Sequence, residues 1–240
     1  MGGGGGGGGP LRDLPQVQFE RGGFGHAERQ ATRRARTESI APAEPALEHH
    51  GRNHVDRFLE MRVTAGDLKG RRFVVPAGRR TRPTADQVRI ALMDILAPWL
   101  PGARFLDLFA GAGGVGIEAL SRGAAEAVFV ETDAAALRAL RENLATLDLG
   151  SRGRILRQDA GKAIDRLARA GERFRLIFLD PPYEGPEVRA ALDRLGAGAI
   201  LEPGGLVQVQ HMTKAALPES AGVLRRFKTR SGVAVFKCEV

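Results

Sequence analysis

The stretch that decides the fold runs from Arg104 to Leu120 and reads RFLDLFAGAGGVGIEAL. Its apolar residues Phe105, Leu106, Leu108 and Phe109 lead into Gly111, Gly113, Gly114 and Gly116, and a helix-compatible segment closes it. A buried strand that turns through glycines into a helix leaves backbone N–H groups bare at the helix start, where a ligand can approach closely. Such a turn is the nucleotide-binding corner of an α/β sheet. Some seventy residues on, RLIFLDPPY from Arg175 to Tyr183 is a second apolar strand, ending in an acid, two prolines and an aromatic ring.

Working outward, strands and helices alternate. Strands are predicted over 104–109, 126–131, 153–158, 175–180 and 205–210, with helices over 114–122, 134–147, 161–170 and 186–195. The period of the second helix is carried by Leu137, Leu140, Leu144 and Leu147. This alternation implies a mostly parallel sheet with right-handed crossovers and ligands at the carboxyl ends of the strands. Residues 222–239 break the pattern, because Val223–Lys228 and Val233–Cys238 flank Ser231-Gly232 as an antiparallel hairpin would. Upstream, strands over Arg62–Ala65 and Arg71–Val75 are expected to form a small basic hairpin. A capping box at Thr84-Ala85-Asp86-Gln87 then opens a helix with Val88, Leu92, Ile95 and Trp99 on one face.

Composition narrows the function. The 240 residues are 43% hydrophobic and 27% charged, enough for a full core. The single cysteine, Cys238, excludes a disulfide framework and a cysteine-based metal site and suits a reducing cytosol. No apolar run reaches membrane-spanning length, and a glycine tract stands where a signal peptide would carry its apolar core. A cytoplasmic monomer is the expectation. Residues 1–60 hold eight arginines and eight acids, so the whole net charge of +8 belongs to residues 61–240. Seven cations (Arg62, Lys69, Arg71, Arg72, Arg79, Arg80 and Arg82) against the single acid Asp67 cluster within 62–82 and point to a polyanion such as nucleic acid. Residues 1–60 cannot offset their ordering entropy by burial and are expected to be disordered or to be translated upstream sequence, with Met61 as the biological start. Their histidines His49, His50 and His54 fit no common metal spacing, and no metal is expected. Three parts result: 1–60, a basic hairpin and helix over 61–103, and an α/β domain over 104–240.

Asp-Pro-Pro-Tyr after a strand, downstream of Asp-Leu-Phe-Ala-Gly-Ala-Gly, resembles the S-adenosylmethionine-dependent methyltransferases that modify exocyclic base nitrogens. On that resemblance the fold is a Rossmann-like class I methyltransferase with a seven-stranded sheet, a C-terminal antiparallel hairpin and a small N-terminal basic hairpin. S-adenosylmethionine is then the expected cofactor. Glu131, twenty positions after Gly111, can accept both ribose hydroxyls, and Thr132 follows it into the pocket. Asp133 is expected to cap a helix. Asp159 could accept from the adenine amine while the Ala160 N–H donates to the ring. Asp107 cannot stay buried and unpaired, so it orders either the glycine loop or the methionine amino group. Phe109, Gly111 and Gly113 complete the expected cofactor set. These acids argue against a pyrophosphate ligand.

Methyl transfer to an exocyclic amine needs its lone pair aimed at the donor methyl, although in the free base that pair is delocalised into the ring. Hydrogen bonds from the amine to the Asp180 carboxylate and the Pro181 carbonyl would draw the nitrogen towards tetrahedral geometry. Pro181 and Pro182 stiffen the turn and remove competing N–H donors. Tyr183 can stack on a flipped base. Catalysis is then mostly positioning, with no metal and no covalent nucleophile.

From Met61 to Val240 the chain resembles the RsmD-type methyltransferases of 16S rRNA. The resemblance rests on Met61-Arg-Val-Thr-Ala-Gly66, Lys69-Gly-Arg-Arg72, Thr81-Arg-Pro-Thr-Ala-Asp-Gln-Val-Arg89, the glycine loop and Asp-Pro-Pro-Tyr. It implies transfer to the N2 amine of a guanine in small-subunit rRNA within an assembled or assembling 30S particle. By the same resemblance, Arg82, Pro83 and Thr84 lie near the target base, and Arg71 and Arg72 hold RNA. Met93 stands where the family has phenylalanine, and Gln210 where it has glutamate before His211. An adenine-N6 methyltransferase and a non-catalytic assembly factor with a vestigial cofactor pocket stay open as alternatives.

Overall fold

The computed structural model describes residues 58–77, 90, 92–181, 187–211, 217–230 and 233–239, all within the unit Gly51–Val240. The expectations for residues 1–57, for Arg82, Pro83 and the Thr84 cap, and for Pro182 and Tyr183 lie outside the described residues. In chain order the elements are β1 (Phe58–Arg62), β2 (Arg72–Pro76), β3 (Arg104–Leu108), α1 (Gly114–Ser121), β4 (Glu126–Glu131), α2 (Ala134–Thr146) and β5 (Gly153–Arg157). They continue with α3 (Ala160–Arg169), β6 (Phe174–Leu179), α4 (Glu187–Leu195), β7 (Leu201–Gln210), β8 (Ser220–Ala221), β9 (Leu224–Arg230) and β10 (Val233–Cys238).

The strands of the main sheet lie in the order β5-β4-β3-β6-β7-β10-β9-β8. The pairs from β5 to β7 are parallel, and β10 inserts antiparallel between β7 and β9. An eighth strand, the two-residue β8, extends the expected seven by pairing with β9. From β3 the chain steps outward to β4 and β5, then returns to the other side of β3 as β6. That reversal opens a crevice at the carboxyl ends of β3 and β6, where ligands bind in open α/β sheets.

The period of two divides the core. Phe105, Phe129, Leu176, Phe178, Leu206 and Val235 face α1, α2 and the helical residues 92–96. Leu106, Val128, Ile177, Val207 and Phe236 face α3 and α4. Ahead of the sheet, Leu92, Met93, Leu96 and Leu100 are the buried residues, whereas Ile95 and Trp99 are only partly covered. Both sets satisfy helical spacing, and the position of the sheet selects between them. Met93 is fully buried, so this departure from the family is a matter of core packing.

The first hairpin differs from expectation. β1 begins at Phe58 and pairs antiparallel with β2 from Phe58↔Pro76 to Arg62↔Arg72, so Val63–Ala65 are not strand. They are drawn instead onto α1. The Glu118 carboxylate, fully buried, accepts from the N–H groups of Thr64 and Ala65 at 3.0 Å and from the Thr64 hydroxyl at 2.5 Å. The Arg122 guanidinium balances its charge at 3.0 Å. Ser121 donates its hydroxyl to the Ala65 carbonyl and accepts from the Leu68 N–H. Gly66, at φ +80°, lies so close that a Cβ would stand 1.8 Å from the Ser121 carbonyl oxygen. Thr-Ala-Gly is therefore a clasp between the hairpin and α1.

Candidate active site

The glycine loop is built by three different demands. Gly113 ends the turn at φ +87° as the N-cap of α1, and a Cβ there would meet Leu140 at 2.4 Å. Gly116 lets α1 sit against β4, since its Cβ would stand 2.3 Å from the Phe129 ring. Gly111, at φ +56°, faces open space. The spacing Gly111-x-Gly113-x-x-Gly116 is that of a dinucleotide loop; here Gly113 and Gly116 answer to packing, and Gly111 does not. Phe109 itself adopts φ +67°, a conformation that costs a bulky residue about 1–2 kcal/mol. Asn143, buried on α2, holds the loop from behind. Its side-chain amide donates to the carbonyls of Ala112 at 2.9 Å and Val74 at 2.8 Å and accepts from the Val74 N–H at 2.7 Å.

Three carboxylates converge at the carboxyl ends of β3, β4 and β6. Glu131 accepts from the Gly111 N–H at 2.7 Å with one oxygen and from the N–H groups of Thr132 and Asp133 with the other. Asp107 is 1% exposed and accepts from the Gly116 N–H at 3.0 Å, which realises its expected role on the glycine loop. Burial pushes its carboxyl up to about 8; the Gly116 N–H opposes the shift, and the nearby charges of Asp180 and Glu131 add to it. Asp180 follows β6 directly, its N–H 3.5 Å from the Leu108 carbonyl, and Pro181 is buried behind it.

Asp133 caps α2 by accepting from the Ala136 N–H, as expected, but Asp159 is itself the cap of α3, accepting from Lys162 at 3.1 Å. Beside it the side-chain oxygen of Gln158 is buried without a hydrogen-bond partner, an acceptor that the sequence reading passed over. Ala160, 6% exposed, begins α3.

Behind Asp180 a row crosses the sheet on one face: Phe129, Asp107, Phe178, Gln208 and Val235. Gln208 is fully buried, and among the described residues neither amide atom has a hydrogen-bond partner. Gln210 lies one register step beyond the Leu179↔Val209 pair, beside Asp180, and opposes Val233. Arg71 and Arg72 stand apart from this crevice on the hairpin, where Arg71 donates to the Thr146 carbonyl and Arg72 pairs with Glu60 at 2.8 Å. A cleft lined by Arg104, Glu126, Arg152, Arg154 and Glu172 lies at the opposite, amino-terminal ends of the strands. Its charges pair among themselves, as in Arg104 with Glu126 and Glu172.

A parallel sheet reversing at β3 and β6, closed by an antiparallel hairpin and carrying acids at the ends of its first and second parallel strands, defines a class I S-adenosylmethionine-dependent methyltransferase fold. Residues 61–237 match the family described as "Conserved hypothetical protein 95". The chain belongs to that family, the RsmD-type methyltransferases that its motifs resemble. It is 41% identical to YlbH of Bacillus subtilis over 181 residues, covering 74% of this chain and 98% of YlbH. It is 36% identical to the ribosomal RNA small subunit methyltransferase D of Escherichia coli over 159 residues, covering 66% of this chain and 78% of that protein. The solved structure of YhhF from Escherichia coli superimposes with a TM-score of 0.63 at 34% identity, covering 75% of this chain and 99% of YhhF.

Proposed function

We propose that this protein transfers a methyl group from S-adenosylmethionine to the exocyclic N2 of a guanine in 16S rRNA. The observation that carries the reading is the placement of Asp180-Pro181 at the end of β6, on the switch-point crevice and beside Asp107 and Glu131. Similarity to an Escherichia coli protein named for small-subunit rRNA supports the substrate.

The residues present fit the cofactor. Its sulfonium supplies the activated methyl and, with the ammonium of the methionine part, a cationic end. Glu131, already oriented by three backbone N–H groups, would take the ribose hydroxyls. Gln158, Asp159 and the start of α3 would frame the adenine, and Gly111, with open space before it, admits the ligand. Asp107 would face the cationic end; the three acids offer nothing to a pyrophosphate. Asp180 and the Pro181 carbonyl would accept the amine hydrogens and hold the nitrogen lone pair out of conjugation, an effect of position and preorganised charge. Pro182 and Tyr183 are proposed to stiffen this turn and to stack on the base. Arg71, Arg72 and Arg82-Pro83-Thr84 are proposed as RNA contacts, in a cytoplasmic enzyme acting on the 30S particle as a monomer.

The test is transfer of labelled methyl to small subunits lacking native methylation, followed by identification of the nucleoside. N2-methylguanosine is expected; N6-methyladenosine would overturn the base assignment. Asp180→Ala is expected to lower the transfer rate roughly a hundred- to thousandfold with RNA and cofactor affinity retained, and undiminished transfer would remove Asp180 from the mechanism.

A further inference from the structure

We propose that β9 is a docking strand for the substrate RNA, with Phe227 stacking on an unpaired base and the cations around it holding the flanking phosphates. The proposal rests on the reading of the protein as an RNA methyltransferase and names a surface that this reading left unused.

β9 reads Leu-Arg-Arg-Phe-Lys-Thr-Arg, with Arg225, Arg226, Lys228 and Arg230 and no acid. Glu219 and Glu239 pair with Arg226 and Arg225, which leaves the strand and its pairing acids with an excess of positive charge. β8 covers β9 only at Leu224 and Arg225. Beyond Arg226, whose N–H reaches the Glu219 carbonyl, the strand is an edge among the described residues. Basic residues on an edge are a common defence against strand-to-strand aggregation. Phe227 contradicts that purpose. It is 60% exposed, the most exposed large apolar side chain among the described residues. It also occupies the β-bulge between the pairs Lys228↔Val235 and Arg226↔Phe236, a device that re-aims a side chain.

The surroundings choose the occupant. Among the described residues of β8 to β10, Phe227 is the one exposed large apolar side chain, which is less than the apolar patch a protein partner needs. A lone aromatic among cations fits a base with phosphates on either side, the pattern by which proteins hold single-stranded nucleic acid. Its location also suits the substrate. Arg230 opposes Val233, which opposes Gln210 beside Asp180. The site end of β9 is therefore three strand spacings, about 14 Å, from the strand that carries Asp180.

Two measurements on the full chain with unmethylated small ribosomal subunits test this. Phe227→Ala is expected to raise KM for the subunit roughly five- to hundredfold, with kcat, cofactor affinity and melting temperature unchanged; Phe227→Trp should restore KM. A photoreactive p-benzoylphenylalanine in place of Phe227 should cross-link to rRNA. An unchanged KM in an active Phe227→Ala enzyme, or adducts to ribosomal protein only, would overturn the docking strand and leave the methyltransferase reading intact. A wild-type enzyme that transfers nothing to the subunit would overturn both.

Discussion

At Asp107, burial and two neighbouring carboxylates act in the same direction. Its carboxyl is held near 8 against an ordinary value of 3.8, so between these two values the folded chain binds a proton that the unfolded chain has released. Stability therefore falls as pH rises from about 4 through 8. Asp107→Asn, which keeps an acceptor for the Gly116 N–H, is expected to flatten that slope in denaturant titrations across this range. A cationic ligand beside Asp107 favours the ionised form, so S-adenosylmethionine binding at pH 7 should release a proton, read as binding heats that vary with the ionisation enthalpy of the buffer. Gln208 poses the opposite problem, a neutral amide buried without partners. Such a group costs about 1–3 kcal/mol, so Gln208→Met is expected to raise the unfolding free energy by a similar amount. Unfolding at unchanged or lower denaturant would show that the amide is satisfied in solution.

At the scale of elements, several contacts among the described residues tie the basic hairpin to the α/β domain, and two of them reach the helices around the glycine loop. One is the clasp of Thr64, Ala65 and Gly66 on Glu118 and Ser121; the other is Asn143, which grips β2 and the glycine loop together. Asn143→Ala is expected to cost about 1–3 kcal/mol. It should also weaken S-adenosylmethionine binding in calorimetry, because the Ala112 carbonyl loses its donor. Gly66→Ala combines a left-handed backbone with a clash on a backbone oxygen and should loosen the hairpin, read as faster amide exchange along β1 and β2. A protein indifferent to both changes would show that hairpin and glycine loop are independent.

For the whole molecule, charge is the property with the longest reach. Residues 1–60 are neutral in sum, and the net +8 lies in residues 61–240. Residues 1–50 alone, with six arginines and six acids, are neutral too, so the salt dependence of RNA binding, which counts the phosphates engaged, should be the same in the full chain and in a chain starting at Gly51. Much of this architecture was legible in the sequence. The alternation of strands and helices, the crevice acids and the terminal hairpin follow from period and turn chemistry, which are local. So does the Asp133 cap, since capping needs only a carboxylate three residues ahead of an N–H. Only the tertiary structure decided which helical face ahead of β3 is buried, why Thr-Ala-Gly matters, and that Gln158 and Gln208 are buried. It also placed Phe227 on an open, basic edge. These depend on partners fifty or more residues away, or on which strand ends a sheet, and sequence spacing carries neither distance nor neighbour.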